Sequence, residues 1–365
     1  MSRFFSDKYK DLESYTPGEQ PRDRQLVKLN TNESPFAPPE KAVRRAAEAA
    51  RSMHLYCDPD ASALTSALAE HYGVSPRQIL VTNGSDEILH FAFMAYCDEA
   101  SPAVFPDITY GFYRVFADLE RLPRRIVPLK ADLSIDVEAC KGAGGTLFLA
   151  NPNANTGIAL DRKTIEEILR ANPDRVVVVD EAYVDFGAES AIELTKKYEN
   201  LLVTQTFSKA WSMAGARLGV GIGSEELIAD LNTVKYSTDP YNVNSMTQAA
   251  AMGALEDIEE IRANIRQVVE NREWTVAELR KRGFALTDSK ANFLFARHGK
   301  VPGKALYEGL KEKGILVRHF GAERIREYIR ITVGSRDQME RLTEGIDEVL
   351  REAADDRADE TGGTE

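Results

Sequence analysis

The chain has 365 residues, of which 43% are hydrophobic and 28% charged, with 24 Gly and 15 Pro. Such a length suggests two domains, or one large domain with an appendage, and the composition is that of a soluble globular protein, which excludes stapled miniproteins and collagen-like, disordered or coiled-coil chains. The balance of 46 basic against 58 acidic residues leaves a formal charge of −12, which repels a phosphate backbone and argues against a nucleic-acid partner.

No apolar run approaches the ~18–20 residues of a membrane span, and residues 1–10 are not followed by the apolar core of ~7–15 residues that a secretory signal needs. No membrane partner is expected, and the expected address is cytoplasmic. Cys57, Cys97 and Cys140 are odd in number, lack C-x-x-C spacing and are read as reduced thiols.

In chain order, the spacing of apolar residues predicts helices over 39–53, opening at a Pro-Pro pair, and over 62–72, ending at Gly73. A strand over 79–82, a helix over 85–97, strands over 103–105 and 146–150 and a helix over 161–171 follow. Strands over 176–180, 201–206 and 218–222 and a helix over 225–236 complete this part. Short, nearly all-apolar strands alternating with helices indicate an α/β fold whose mostly parallel sheet is buried on both faces. After residue 245 the pattern changes to a charged amphipathic helix over 258–282, a strand over 292–296, a helix over 304–313, strands over 315–318 and 328–333 and a helix over 337–353. This grouping predicts a second, smaller α+β domain. The acidic tail 354–365, with its Gly-Gly pair, is expected to be disordered. No internal repeat is visible.

The common catalytic signatures are missing: no G-x-S-x-G, H-E-x-x-H or P-loop occurs, and the five histidines show no metal spacing. No metal is expected. Three strand ends instead deliver polar groups where buried strands stop, the place where open α/β sheets bind ligands. At Thr82-Asn83-Gly84-Ser85-Asp86-Glu87 the strand gives way to a helix whose first N–H groups suit an anion, although the same pattern makes an ordinary cap. At Val179-Asp180-Glu181-Ala182-Tyr183 a carboxylate ends an apolar strand and asks for a cation, hydrogen-bond donors or a cap. At Thr206-Phe207-Ser208-Lys209, with Arg217 eight residues on, an amine nucleophile stands beside a candidate phosphate clamp. Between them lies an Asn-rich turn, Asn151-Pro152-Asn153-Ala154-Asn155-Thr156-Gly157.

Taken together, these features meet the needs of pyridoxal 5'-phosphate: a lysine for its Schiff base, a carboxylate for the ring nitrogen, donors to the phenolic oxygen and a phosphate cradle. The chain resembles the fold-type-I aminotransferases, and among them the histidinol-phosphate aminotransferase family, from Tyr15 to Arg351. The resemblance is carried by Tyr15-Thr16-Pro17-Gly18-Glu19-Gln20-Pro21, Leu29-Asn30-Thr31-Asn32-Glu33-Ser34-Pro35, Gly84-Ser85-Asp86-Glu87, Asp180-Glu181-Ala182-Tyr183, Thr206-Phe207-Ser208-Lys209 and Ile329-Arg330-Ile331-Thr332-Val333-Gly334. It implies a seven-stranded sheet between helices, with an N-terminal arm over 1–37, a large cofactor-binding domain over 38–245 and a small domain over 246–353.

By the same resemblance, Lys209 binds the cofactor and shuttles the proton, Asp180 holds the ring nitrogen, and Tyr183 holds the phenolic oxygen with an asparagine of the turn, Asn153 or Asn155. Gly84, Ser85, Asp86, Thr206, Ser208 and Arg217 surround the phosphate, and Tyr110 stacks on the ring. Tyr56 reaches the site of a neighbouring subunit, which implies a homodimer. Arg330 and Arg318 bind the acidic group of the substrate, with Asn32, Glu33 and Tyr15 nearby. At the turn the family reads Asn-Asn-Pro-Thr-Gly, whereas Ala154 and Asn155 stand here at the second Asn and the Pro. The implied reaction is transamination between L-histidinol phosphate and 2-oxoglutarate. An aromatic amino-acid aminotransferase, and a threonine-phosphate decarboxylase, share the same cofactor chemistry. An aminotransferase-like DNA-binding regulator is disfavoured, because only about thirty residues precede Asn30.

Overall fold

The computed structural model describes residues 2–20 and 26–362, with side chains as far as Asp355. Met1 and Pro21–Arg24 of the expected arm, together with residue 25, and the last part of the expected tail, 363–365, lie outside the described residues.

The chain enters through β1 (Val27–Lys28), then forms α1 (Glu40–Ala49) with a 3-10 turn to Ser52, and α2 (Ser62–Tyr72), closed by Gly73 in the left-handed region. Next come β2 (Ile79–Thr82), α3 (Ser85–Tyr96), β3 (Ala103–Pro106), α4 (Phe112–Leu119), β4 (Arg124–Val127) and α5 (Val137–Cys140). They are followed by β5 (Thr146–Ala150), α6 (Arg162–Ala171), β6 (Val177–Asp180), β7 (Leu201–Thr206), β8 (Gly219–Ile222) and α7 (Glu225–Thr238). Side chains of Asp161 and Ser224 cap α6 and α7 by accepting from Thr164 N and Leu227 N.

Seven of these strands form one sheet in the order β2-β8-β7-β6-β5-β3-β4, parallel except for β8, which runs antiparallel to both neighbours. Every residue of β5, β6 and β7 is buried, which a run of Leu, Phe and Val achieves only with helices covering both faces. The parallel strands therefore end together on one edge, and that edge carries Asp180 and Thr206.

The remaining chain forms α8 (Ser245–Glu256), α9 (Ile258–Lys281), β9 (Phe284–Leu286), β10 (Phe293–His298), α10 (Gly303–Glu312), β11 (Ile315–Leu316), β12 (Arg318–His319), β13 (Ile329–Thr332) and α11 (Arg336–Gly362). Strands β12-β13-β10-β9 make an antiparallel sheet, while β1 pairs with β11 in parallel. Helix α8 lies against α1, so close at Gly253 that an added Cβ would sit 2.5 Å from the Lys41 carbonyl oxygen. Among the described residues no helix is long and apolar enough to cross a membrane.

Several differences from the sequence-based expectation have physical causes. Strand β4 carries exposed Arg124, Arg125 and Ile126 at the sheet edge, so it shows no apolar run. Helix α8 is built of Ala, Gly, Met and Ser with little contrast between its faces. The expected strand over 315–318 divides in two: Ile315–Leu316 joins β1, and Arg318–His319 joins β13. The tail expected to be disordered from Ala354 instead continues α11 to Gly362. Ala, Glu and Arg are strong helix formers, and no Pro interrupts them, so a helix already docked through Leu342, Ile346 and Val349 propagates outward.

Candidate active site

Beyond the ends of β6 and β7 lies a cavity of about 150 Å³ bordered by Ser85, Asp86, Asp180, Tyr183, Lys209 and Arg217, with Tyr110, Thr206, Ser208 and Ala154 completing its wall. Asp180 ends β6 with 5% of its surface exposed. Its carboxylate accepts hydrogen bonds from the Tyr113 hydroxyl at 2.9 Å, Ala182 N at 3.3 Å and the Thr204 hydroxyl at 3.4 Å. Burial pushes its pKa up to about 6, and the Asp86 charge adds to the rise, while the hydrogen bond from Tyr113 acts against it. Among the described residues no cation pairs with this carboxylate. Burial, and then the neighbouring Asp180 charge, hold the Tyr113 phenol well above its usual range, so it remains a donor.

Lys209 follows β7 in a tight loop, where Thr206 Oγ1 accepts from Ser208 N at 3.1 Å and donates onward. Its Nζ donates to the Thr31 carbonyl at 3.2 Å and stands 5.9 Å from the centre of the Tyr183 ring. The Tyr183 hydroxyl accepts from Asn32 Nδ2 at 3.1 Å.

At the other end the cavity meets the start of α3, whose first N–H groups have no partner within the helix. Gly84, at φ +81°, and Gly219 allow this approach: a Cβ on Gly84 would lie 2.6 Å from Arg217 Nη2, and one on Gly219 2.4 Å from Ser85 N. Arg217, itself left-handed at φ +55°, reaches Ser208 Oγ at 3.4 Å and Asp86 at 3.2 Å. Asp86 in turn accepts from the Tyr110 hydroxyl at 2.7 Å. Two glycines, a helix start and a guanidinium thus shape a concave site for a phosphate.

A wider cavity of about 440 Å³ continues outward past Lys209, Tyr110 and Tyr183. The β12–β13 register sets Arg318 directly opposite Arg330, an arrangement unfavourable for two cations unless an anion lies between them. Both lie beside Phe320, whose ring centre is 5.7 Å from Arg318 Cζ and 5.4 Å from Arg330 Cζ. Arg330 donates to the carbonyls of Ala154 at 2.9 Å and Asn30 at 3.4 Å, and its buried Nε has no partner among the described residues. Burial lowers its pKa. Tyr15, packed on Phe112 with ring centres 4.3 Å apart, and Asn155 also border this space.

Three expected residues sit elsewhere. Asn153 does not line either cavity: its amide donates to the Ile108 carbonyl at 2.9 Å and accepts from Asn155 N and Thr156 N at 3.0 Å, which fixes the turn. Glu33 lines neither cavity, and its carboxylate accepts from Lys28 and the Thr31 hydroxyl. Its burial favours the neutral form, but these hydrogen bonds outweigh it and lower the pKa. Tyr56 is 83% exposed, stacks on Tyr241 with ring centres 4.5 Å apart, and lines neither cavity of its own chain. Asn32 lines the outer cavity, yet its amide is committed to Tyr183 and Thr332 rather than open to a substrate. Tyr113, Thr204 and Thr332 were missed. Tyr113 lies on α4, an unassigned helix, and the two threonines look like ordinary strand residues.

The donor set fits pyridoxal 5'-phosphate. The buried Asp180 carboxylate, without a cation among the described residues, would suit a protonated ring nitrogen, the Lys209 amine on the same cavity wall would bind the aldehyde, and the glycine-lined cradle would accept the phosphate. The family of class I and II aminotransferases matches residues 24–346, and the chain belongs to that family; its cofactor is pyridoxal 5'-phosphate. Within the family, the chain is 44% identical to a histidinol-phosphate aminotransferase of Brachyspira hyodysenteriae over 96% of its own length and 100% of that protein. It is also 44% identical to histidinol-phosphate aminotransferase 2 of Gluconobacter oxydans, over 96% of this chain and 99% of the other. The crystal structure of histidinol-phosphate aminotransferase from Sinorhizobium meliloti in complex with pyridoxal-5'-phosphate superposes with a TM-score of 0.82 at 25% identity, covering 89% of this chain and 91% of that one.

Proposed function

We propose that this aminotransferase moves the amino group between L-histidinol phosphate and 2-oxoglutarate, with imidazole acetol phosphate and glutamate as the other pair, in histidine biosynthesis. The observation that carries the substrate is the pair Arg318 and Arg330, set opposite each other at the mouth of the Lys209 cavity. Two planar guanidinium groups bind a phosphate in one half-reaction and a carboxylate in the other. The near-full-length likeness to proteins named for this substrate supports the same reading.

Bound in the inner cavity, the cofactor supplies an electron sink for the bond broken at the substrate Cα. Lys209 Nζ binds it and then carries the proton to and from that carbon. Asp180 would keep the ring nitrogen protonated, Tyr183 would donate to the phenolic oxygen, and the backbone N–H groups of Ser85 and Asp86, with Ser208 and Arg217, would hold the phosphate. Tyr110 covers the ring and is anchored by Asp86. Residues 38–245 carry these groups, residues 246–353 bring the arginines, and the arm, through β1 and Asn30–Asn32, joins the two. Tyr56, Leu55, Met53 and Tyr241 form an exposed apolar patch that suits a second copy of the chain in a cytoplasmic homodimer.

The test is a single-turnover absorbance experiment in which the cofactor-loaded protein is mixed separately with L-histidinol phosphate and L-phenylalanine. Fast conversion by the phosphorylated amine alone supports the assignment. Preference for phenylalanine moves the protein to the aromatic aminotransferases, and release of carbon dioxide from L-threonine O-3-phosphate, added as a third substrate, to the decarboxylases.

A further inference from the structure

We propose that Thr332, Asn32 and Tyr183 form a hydrogen-bond relay that ends on the phenolic oxygen of the cofactor, and that this relay is that oxygen's only side-chain donor among the described residues. The inference rests on the pyridoxal phosphate reading of the inner cavity and makes Asn32 and Thr332 positioning residues.

The direction of the relay follows from donors and acceptors. Asn32 is 1% exposed and left-handed at φ +57°. Its backbone N–H donates to Thr332 Oγ1 at 2.9 Å, and the Thr332 hydroxyl donates back to Asn32 Oδ1 at 3.1 Å. With Oδ1 occupied as an acceptor, the other end of the amide, Nδ2, donates to the Tyr183 oxygen at 3.1 Å. Asn292 Nδ2, donating to the Asn32 carbonyl at 3.0 Å, holds the residue in place. The Tyr183 oxygen is therefore an acceptor from one side, and its own proton is left for the cavity. Bonds in such a chain polarise one another, so a phenol that accepts from an amide is a stronger donor.

The opposite wall offers no substitute. The Asn153 side chain, bonded to the Ile108 carbonyl and to the N–H groups of Asn155 and Thr156, lines neither cavity, Ala154 borders both cavities without a polar side chain, and Asn155 borders only the outer one. The chemistry of the cofactor fixes which of its atoms is concerned. With the ring nitrogen at Asp180, the aldehyde carbon at Lys209 and the phosphate arm toward Arg217, the phenolic oxygen takes the flank away from the phosphate, where Tyr183 stands. A donor there draws negative charge off the oxygen, and that charge is what holds a proton on the nitrogen contributed by Lys209. Weakening the relay makes this nitrogen more basic; adding a donor makes it less so.

The holoenzyme reports this directly, because its visible absorption changes as that nitrogen loses its proton. Titrating the spectrum against pH, we expect Asn32→Gly, which removes the amide and tolerates the positive φ, to raise the midpoint by roughly half to one pH unit, a three- to tenfold change in proton affinity. Ala154→Asn, which adds an amide on the bare wall, lowers it by a similar amount and keeps the test open if Asn32→Gly fails to fold. Asn155→Ala leaves the midpoint in place. An unmoved midpoint in either of the first two variants overturns the proposal. So does a downward shift in Asn32→Gly, which would mean that Tyr183 donates to Asn32 instead, or any clear shift in Asn155→Ala. A protein that takes up no pyridoxal phosphate refutes the functional reading and this inference with it, and is recognised by an absent band rather than a fixed midpoint.

Discussion

Asp180 is costly to fold without the cofactor, and replacing it with Asn measures that cost. Burial lifts its pKa from 3.8 to about 6, so its charged form is disfavoured in the folded chain. A shift of about two units, at about 1.4 kcal/mol per unit, is worth ~3 kcal/mol. The sign follows from the proton count. Below about pH 4 the group is protonated in both states and costs nothing. Between about 4 and 6 the folded chain keeps a proton that the unfolded chain gives up, so stability falls as pH rises; above 6 the cost is complete. An Asn at this position keeps the Tyr113, Ala182 and Thr204 partners, with the Tyr113 oxygen now accepting, and removes the charge. Apo-protein carrying Asp180→Asn should therefore be more stable than the parent by up to ~3 kcal/mol at pH 7.5, the gap closing toward pH 4, as read from urea unfolding midpoints at a series of pH values. With pyridoxal phosphate bound the order reverses, because the ring nitrogen supplies the missing cation only to the carboxylate. A gap that does not vary with pH, or a less stable apo variant at pH 7.5, refutes the reasoning.

Lys209→Ala should abolish covalent cofactor retention and turnover; turnover that survives removes Lys209 from its role. Gly219→Ala places a Cβ 2.4 Å from Ser85 N, and the displaced start of α3 should weaken cofactor affinity about tenfold or more, measured by titration of the apo-protein. Arg318→Ala removes one of two charge-assisted contacts to a phosphate and should raise KM for L-histidinol phosphate roughly 10–100-fold, with a smaller effect on glutamate; equal effects on both substrates would contradict the assignment. Tyr56→Ala should lower activity more than Tyr241→Ala while sedimentation still shows a dimer, and a monomeric parent protein would remove the subunit-sharing role.

Much of the large sheet could be read from the chain, because strands such as Leu201–Thr206 are buried on both faces and therefore carry an uninterrupted apolar signal. The edge strand Arg124–Val127 could not be read, since its exposed residues answer to neighbours distant in sequence, whereas the helix Phe112–Leu119 carries a helical spacing in its buried Tyr113, Phe116 and Ala117 that goes unused because the segment is only eight residues long. The same limit applies at the site. Lys209, Asp180 and Arg217 stand at strand ends and are visible as polar interruptions of apolar runs. Tyr113, which hydrogen-bonds Asp180 from 67 residues away, and Thr332, which holds Asn32 across 300 residues, leave no local mark. Asn153 shows the converse: its residue type suited a cofactor contact, but its side chain is turned to backbone groups, the N–H groups of Asn155 and Thr156 in its own turn and the distant Ile108 carbonyl.

By itself, then, the sequence determined the alternation of strands and helices, the strand-end positions of the reactive groups and the family to which the chain belongs, all of which depend on residue type and short-range spacing. Only the tertiary structure decided which polar groups meet. It set Arg318 opposite Arg330 through strand register, gave the carboxylate of Asp180 to Tyr113, and turned Asn32 from a substrate contact into the hold on Tyr183. The reason is physical: hydrogen bonds and charge pairs between segments far apart in the chain depend on distance and direction after folding, which local patterning does not encode.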